Sequence, residues 1–125
     1  LTEQLAVAAR QVLAEPASWL SRSAMDEFGV QAPRLHTGLI VSGDRFVSTS
    51  AESAALRQAI PGALAVEMEG AAVAQVCHDY GLPFAALRVI SDRADDSAHV
   101  EFSRFIECVA SRYSLAVLDE FWRSL

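Results

Sequence analysis

The chain has 125 residues, enough for one domain with a sizeable core, and 52% apolar against 21% charged residues exclude a disordered polypeptide. A net charge of −6, with ten Lys and Arg scattered rather than clustered, argues against nucleic acid or an anionic membrane and for a small molecule or another protein as partner. No stretch reaches the ~18 apolar residues of a membrane span, no signal-peptide pattern opens the chain, and Cys77 and Cys108, without metal-ligand spacing, read as reduced buried thiols of a cytoplasmic protein.

Leu1–Glu15 sets Leu5, Ala8, Ala9, Val12 and Leu13 on one face at helical spacing, a surface helix already under way at the first residue, as if sequence preceded it. Pro16 ends it, and a shorter segment runs from Ser18 to Phe28 with Gly29 as its stop and Trp19 filling the apolar layer. Leu35–Val41 is β-branched and too short for a helix, so it predicts a strand, closed by the turn Ser42-Gly43-Asp44. Ser48-Thr49-Ser50 offers N-cap hydroxyls and Glu52 a first-turn acid to a helix that Ile60-Pro61-Gly62 breaks after Ala59. Ala63–Met68 reads as the next strand and Glu69–Tyr80 as its crossover helix, whose small Gly70, Ala71, Ala72 and Ala74 let it press against a sheet. Pro83–Ile90, after Gly81, predicts a third strand, and His99–Leu125 is helical again. The order β-α-β-α-β-α predicts a three-layer α/β/α sandwich on a largely parallel or mixed sheet, with residues 1–125 forming one portion of a single domain.

A right-handed crossover makes the strands 63–68 and 83–90 parallel and brings their carboxyl ends to one edge, where open α/β sheets bind ligands. If they are neighbours, about 4.7–4.9 Å apart, Glu69 and Asp92, 23 residues apart in sequence, flank one small molecule. The edge gathers Phe46, Met68, acids, the Arg88 guanidinium and the Ser91 hydroxyl, a set suited to a flat heterocycle joined to a polyol. Each residue also has a plainer reading. Glu67 and Glu69 serve as first-turn helix acids, Asp92 as a turn or N-cap residue, Phe46 and Phe102 as core, and Met68 as filler. Arg88, inside an apolar run, calls for acids around it, and Glu67 or Glu69 would supply them. His36, His78 and His99 show no ligand spacing, so no metal site is expected.

Three turns carry a family likeness. GLIVSGDRF (Gly38–Phe46), VEMEGAAVAQVC (Val66–Cys77) and LRVISDRADD (Leu87–Asp96) together resemble the 5′-methylthioadenosine/S-adenosylhomocysteine nucleosidases of the purine-nucleoside-phosphorylase-like superfamily, with order and spacing kept. The resemblance implies hydrolysis of an N-glycosidic bond with release of adenine, a purine nucleoside as substrate, no metal or cofactor, and a cytoplasmic homodimer. It implies that Asp92 is the general acid at purine N7, oriented by Ser91, and that Arg88 lies near the attacking water. On the same basis Glu69 binds the ribose hydroxyls, with Glu67 beside it in the same turn and undecided in role. Met68 packs on the sugar, Phe46 stacks on adenine, the Val47 backbone reads its edge, and Phe102 lines the pocket for the alkylthio tail. Cleavage leaves electron density on the purine and positive charge on the ribose, hence an acid at the base and a carboxylate at the sugar, as in other glycoside hydrolyses. The family's water-activating carboxylate has no match here, which implies a carboxyl-terminal half that catalyses little alone. Hydrolysis of 6-amino-6-deoxyfutalosine, phosphorolysis, and a catalytically silent nucleoside-binding member of the fold are the other readings.

Overall fold

The computed structural model describes residues 1–91 and 102–125, which form two compact units. The first is helical, made of Leu1–Leu35, Leu87–Ser91 and the described residues from 102 to the end. Its elements are α1 (Thr2–Ala14), a 3-10 turn (Pro16–Ser18), α2 (Arg22–Glu27), α5 (Phe102–Phe105) and α6 (Ser111–Arg123). A π turn, Ile106–Ala110, joins α5 to α6 without a break in the helix, and Ser111 Oγ donates to Glu107 O within it at 2.8 Å.

The core of this unit follows from periodicity. α1 buries Ala6, Ala8, Ala9 and Val12, and α6 buries Tyr113, Ala116, Val117 and Phe121, each set recurring every three or four residues. Ala8, Ala9 and Ala116 are each only 1% exposed, so α1 and α6 meet through methyl groups, and Val12 and Val109 fill the space beside them. Leu20, Trp19 and Phe28 close one side of this cluster, which gives Trp19 the layer-filling role expected of it. Phe28 meets Phe105 edge to face, with centroids 5.5 Å apart. Nε and Nη2 of Arg104, one edge of its guanidinium, donate to the two carboxylate oxygens of Glu27, tying α5 to α2 and holding the Glu27 carboxyl below its usual range. Gly29 adopts φ +63° after α2, the left-handed stop its position suggested.

The second unit is α/β. It holds β1 (Leu39–Ser42), α3 (Ser50–Ala59), β2 (Ala63–Glu67) and α4 (Gly70–Asp79). Thr49 caps α3 by accepting from the Glu52 N–H at 3.2 Å, and Gly81, at φ +65°, follows α4. The strands pair in parallel with Leu39 opposite Ala63, Ile40 opposite Ala65 and Ser42 opposite Glu67, so the register slips by one residue around Leu64. No described residue of this unit is fully buried, and Leu39, Leu64, Val73, Val76 and Leu82 are each half exposed or more.

Two of the three predicted strands are present. The first begins at Leu39 rather than Leu35. The third, Pro83–Ile90, belongs to no ladder among the described residues. Its alternation is nonetheless that of a strand, since Ala85, Leu87 and Val89 are half-buried while Ala86, Arg88 and Ile90 are exposed. Leu87 and Val89 pack on the helical core, so the side chains obey period two where the backbone has no ladder partner. The cysteines are free thiols and only half-buried, less enclosed than expected.

Candidate functional site

The carboxyl end of the parallel pair is the best-defined part of the predicted site. The Gly43 N–H donates to Glu67 O at 3.1 Å, extending the ladder one step past Ser42 and holding the two strand ends together. Ser42 Oγ then accepts the N–H of Ala71 at 3.0 Å, binding the end of β1 to the first turn of α4. Glu67 does the same from β2. Its carboxylate accepts the Gly70 N–H with both oxygens, at 2.9 and 2.8 Å, and the Glu69 N–H at 3.2 Å. These amides belong to the group that a helix leaves without internal partners, so Glu67 closes the amino end of α4 with its charge on the favourable side of the helix dipole.

Gly70 fits this arrangement for a steric reason. A Cβ there would lie 2.7 Å from Glu67 Oε1, inside contact distance, so the carboxylate occupies the space that a side chain would need. The result separates the two acids that sequence reasoning left side by side. Glu67 is an anchor for the turn, whereas Glu69, whose backbone the anchor holds, carries its own side chain on the exposed surface, next to exposed Met68.

The turn after β1 is fixed from the other direction. Arg45 donates to Glu52 at 2.8 Å, and the same carboxylate accepts the Ser48 N–H at 3.3 Å and the Thr49 hydroxyl at 3.0 Å. The Ser48 N–H first, then the Thr49 hydroxyl, hold the Glu52 carboxyl below its ordinary value, with Arg45 adding to the effect. Phe46, between these anchored residues, is 51% exposed, and Val47 is half-buried. A hollow of about 450 Å³ between β1 and α3 includes Val47 but not Phe46, Met68 or Glu69.

The rest of the predicted set belongs to the helical unit or falls outside the description. Arg88 is exposed rather than buried as its apolar neighbours suggested. It lines a hollow of about 330 Å³ beside Leu35, Val89 and Tyr113. Ser91 is half-buried and Phe102 is exposed. Asp92, the predicted acid, lies outside the described residues. Sequence reasoning missed Ser42 as a cap of α4. The signal available was a hydroxyl at a strand end that faces, across the ladder, the acid preceding a helix.

The matched region now spans nearly the whole chain, because the model of the phosphorylase superfamily fits residues 3–123. The chain belongs to the phosphorylase superfamily. Three solved structures in or near it are similar throughout the chain. The 5′-methylthioadenosine/S-adenosylhomocysteine nucleosidase of Neisseria meningitidis, in complex with methylthio-immucillin-A, is 37% identical with a TM-score of 0.71 over 97% of this chain and 46% of its own. The S-adenosylhomocysteine nucleosidase of Streptococcus pyogenes, with 5-methylthiotubericidin, is 32% identical with a TM-score of 0.69, over 98% of this chain and 45% of its own. The futalosine hydrolase of Helicobacter pylori is likewise 32% identical with a TM-score of 0.69, over 99% and 46%. The chain thus spans less than half the length of these three proteins. The α/β fold with a parallel sheet and the resemblance to the nucleosidases both agree with these matches.

Proposed function

We propose that this chain is part of a cytoplasmic, homodimeric nucleosidase that hydrolyses the N-glycosidic bond of 5′-methylthioadenosine and S-adenosylhomocysteine, releasing adenine. The observation that carries the reading is the closed strand edge, where Ser42 and Glu67 cap α4 and present Met68 and Glu69 at the surface. Its closeness in sequence to nucleosidases solved with methylthio-nucleoside analogues supports it. On this reading Glu69 accepts hydrogen bonds from the ribose hydroxyls, Met68 packs on the sugar, and Phe46 stacks on the purine over the Val47 backbone. Glu67 acts on the substrate only through the turn it holds. Asp92, oriented by Ser91, gives or shares a proton with purine N7 as the glycosidic bond lengthens, Arg88 attends the water, and Phe102 lines the tail pocket. The residues 1–125 are then one portion of a single catalytic domain.

The experiment follows adenine release from methylthioadenosine by the full-length protein. Asp92→Asn should lower turnover about 10²–10⁴-fold, the usual contribution of a positioned acid, with the fold unchanged. Near-normal release by that variant overturns the acid assignment, and no release from the unmodified protein favours a silent nucleoside-binding member. The similarity to futalosine hydrolase supports 6-amino-6-deoxyfutalosine as a second substrate to assay in parallel.

A further inference from the structure

We propose, on the reading of Phe46 and Val47 as purine contacts, that Glu52 is a positioning residue for the base: its carboxylate holds the loop that carries them. Thr49-Ser50-Ala51-Glu52 has the form of a helix capping box, in which the cap hydroxyl accepts the amide three residues on and the acid there reaches back to the amide of the cap residue. The first half forms, since Thr49 Oγ1 accepts the Glu52 N–H at 3.2 Å. The second half reaches further than a cap requires. Glu52 Oε2 accepts the N–H of Ser48, one residue ahead of the cap, at 3.3 Å, together with the Thr49 hydroxyl at 3.0 Å. Glu52 Oε1 accepts from Arg45 Nη2 at 2.8 Å.

One carboxylate therefore grips the chain on both sides of Phe46 and Val47, at Arg45 before them and at Ser48 and Thr49 after them. That takes a side chain with two acceptor oxygens, which an ionised acid has and an amide lacks. The loop is lightly packed among the described residues, because Phe46 is 51% exposed and the hollow between β1 and α3 is lined by Arg45, Val47 and Glu52 themselves. Its position accordingly depends on these polar bonds. Arg45 contributes the least of the three donors, since its side chain is 84% exposed and ion pairs in water are weak. A change of the Glu52 side chain leaves α3 capped, because Thr49 binds the backbone amide of residue 52, so the effect falls on the loop rather than on the helix.

The test combines the kinetics of adenine release from methylthioadenosine by the full-length protein with Kd for adenine by equilibrium dialysis, which needs no turnover. Stacking of a base on an aromatic ring is worth roughly 5–150-fold in affinity, so Phe46→Ala should raise KM and Kd within that range. Glu52→Ala should raise both about tenfold with kcat held within about twofold, the mark of binding lost equally in ground and transition states. Glu52→Gln, which keeps one acceptor oxygen, should fall between Glu52→Ala and the unmodified protein. In the Phe46→Ala background Glu52→Ala should add about threefold or less, since the loop then has no ring to place. The full tenfold effect in that background means that Glu52 acts on the fold in general and overturns the proposal. Unchanged KM and Kd in Glu52→Ala, beside a clear response to Phe46→Ala, removes Glu52 alone and leaves the purine reading standing. A protein that binds no adenine, or a Phe46→Ala variant without effect, overturns the proposal together with that reading.

Discussion

Replacing Glu67 by Ala tests whether this acid is an anchor of the turn. The substitution removes the acceptor of the Gly70 and Glu69 amides at the start of α4. Loss of a side-chain cap costs about 1 kcal/mol, and a charged acceptor on the helix dipole raises this to about 1–2 kcal/mol. Glu67→Gln keeps one amide oxygen in place and should lose about half as much. Gly70→Ala supplies an internal control. In the unmodified chain its Cβ displaces the carboxylate, which cancels the roughly 1 kcal/mol of helix propensity that Ala gains over Gly. In the Glu67→Ala background that conflict is gone, so the same change should stabilise. Urea unfolding of the four variants, followed by circular dichroism, gives the coupling directly. Strict additivity, or a Glu67→Ala cost below about 0.3 kcal/mol, would show that the carboxylate does not carry the turn.

Other expectations follow from single residues. The Glu52 carboxyl is held below 4.5 in the folded chain, so in the window beneath that value the unfolded chain binds more protons. Its contribution is complete above 4.5 and is lost as pH falls through the lower, folded value. Thermal midpoints of Glu52→Gln should accordingly fall less steeply on acidification than those of the unmodified chain, and parallel curves would refute the assignment. Tyr113 is 5% exposed and its hydroxyl has no partner among the described residues, with burial pushing its pKa up. Tyr113→Phe should be neutral or stabilising by up to about 1 kcal/mol in urea unfolding, and a clear loss would mean that the hydroxyl is bonded. Gly29→Ala places a side chain at φ +63° and should destabilise by about 1 kcal/mol in the same assay, with no change at all arguing against the left-handed stop.

The helices were legible because their signals are local. Apolar spacing gave α1, the hydroxyls at 48–50 gave the start of α3, and Gly29 and Gly81 marked their stops. β1 and β2 were legible as short β-branched or apolar runs between turns. Pro83–Ile90 has the same local character, and its side chains alternate as predicted, but a strand also needs a neighbour, and no local pattern states whether one is at hand. Arg88 was misjudged for a related reason, since apolar neighbours on both sides imply burial only when both faces of the run are covered. The acids of the VEME turn were found, but their division of labour was not. It depends on which carboxylate can fold back onto the Gly70 amide, a matter of three-dimensional reach that residue type alone leaves open. The last helix was legible as helical, yet only exposure separates Leu115, Leu118 and Trp122 from the core residues Tyr113, Val117 and Phe121.

The slip around Leu64 reaches further than a local irregularity. With an uninterrupted ladder Ser42 would stand opposite Val66, and Glu67 would fall one step beyond the end of the pair. The extra residue advances β2 by one place, which sets the acid level with the hydroxyl so that both reach the same helix end. Gly38 makes room for it, because a side chain there would collide with Leu64 Cδ1. The 63–65 stretch therefore works as a counting device. Removing Leu64 would leave a regular ladder with Ser42 still level with Glu67, whereas a residue inserted between Ala65 and Glu67 would carry the acid one step past the hydroxyl and away from the helix end they share.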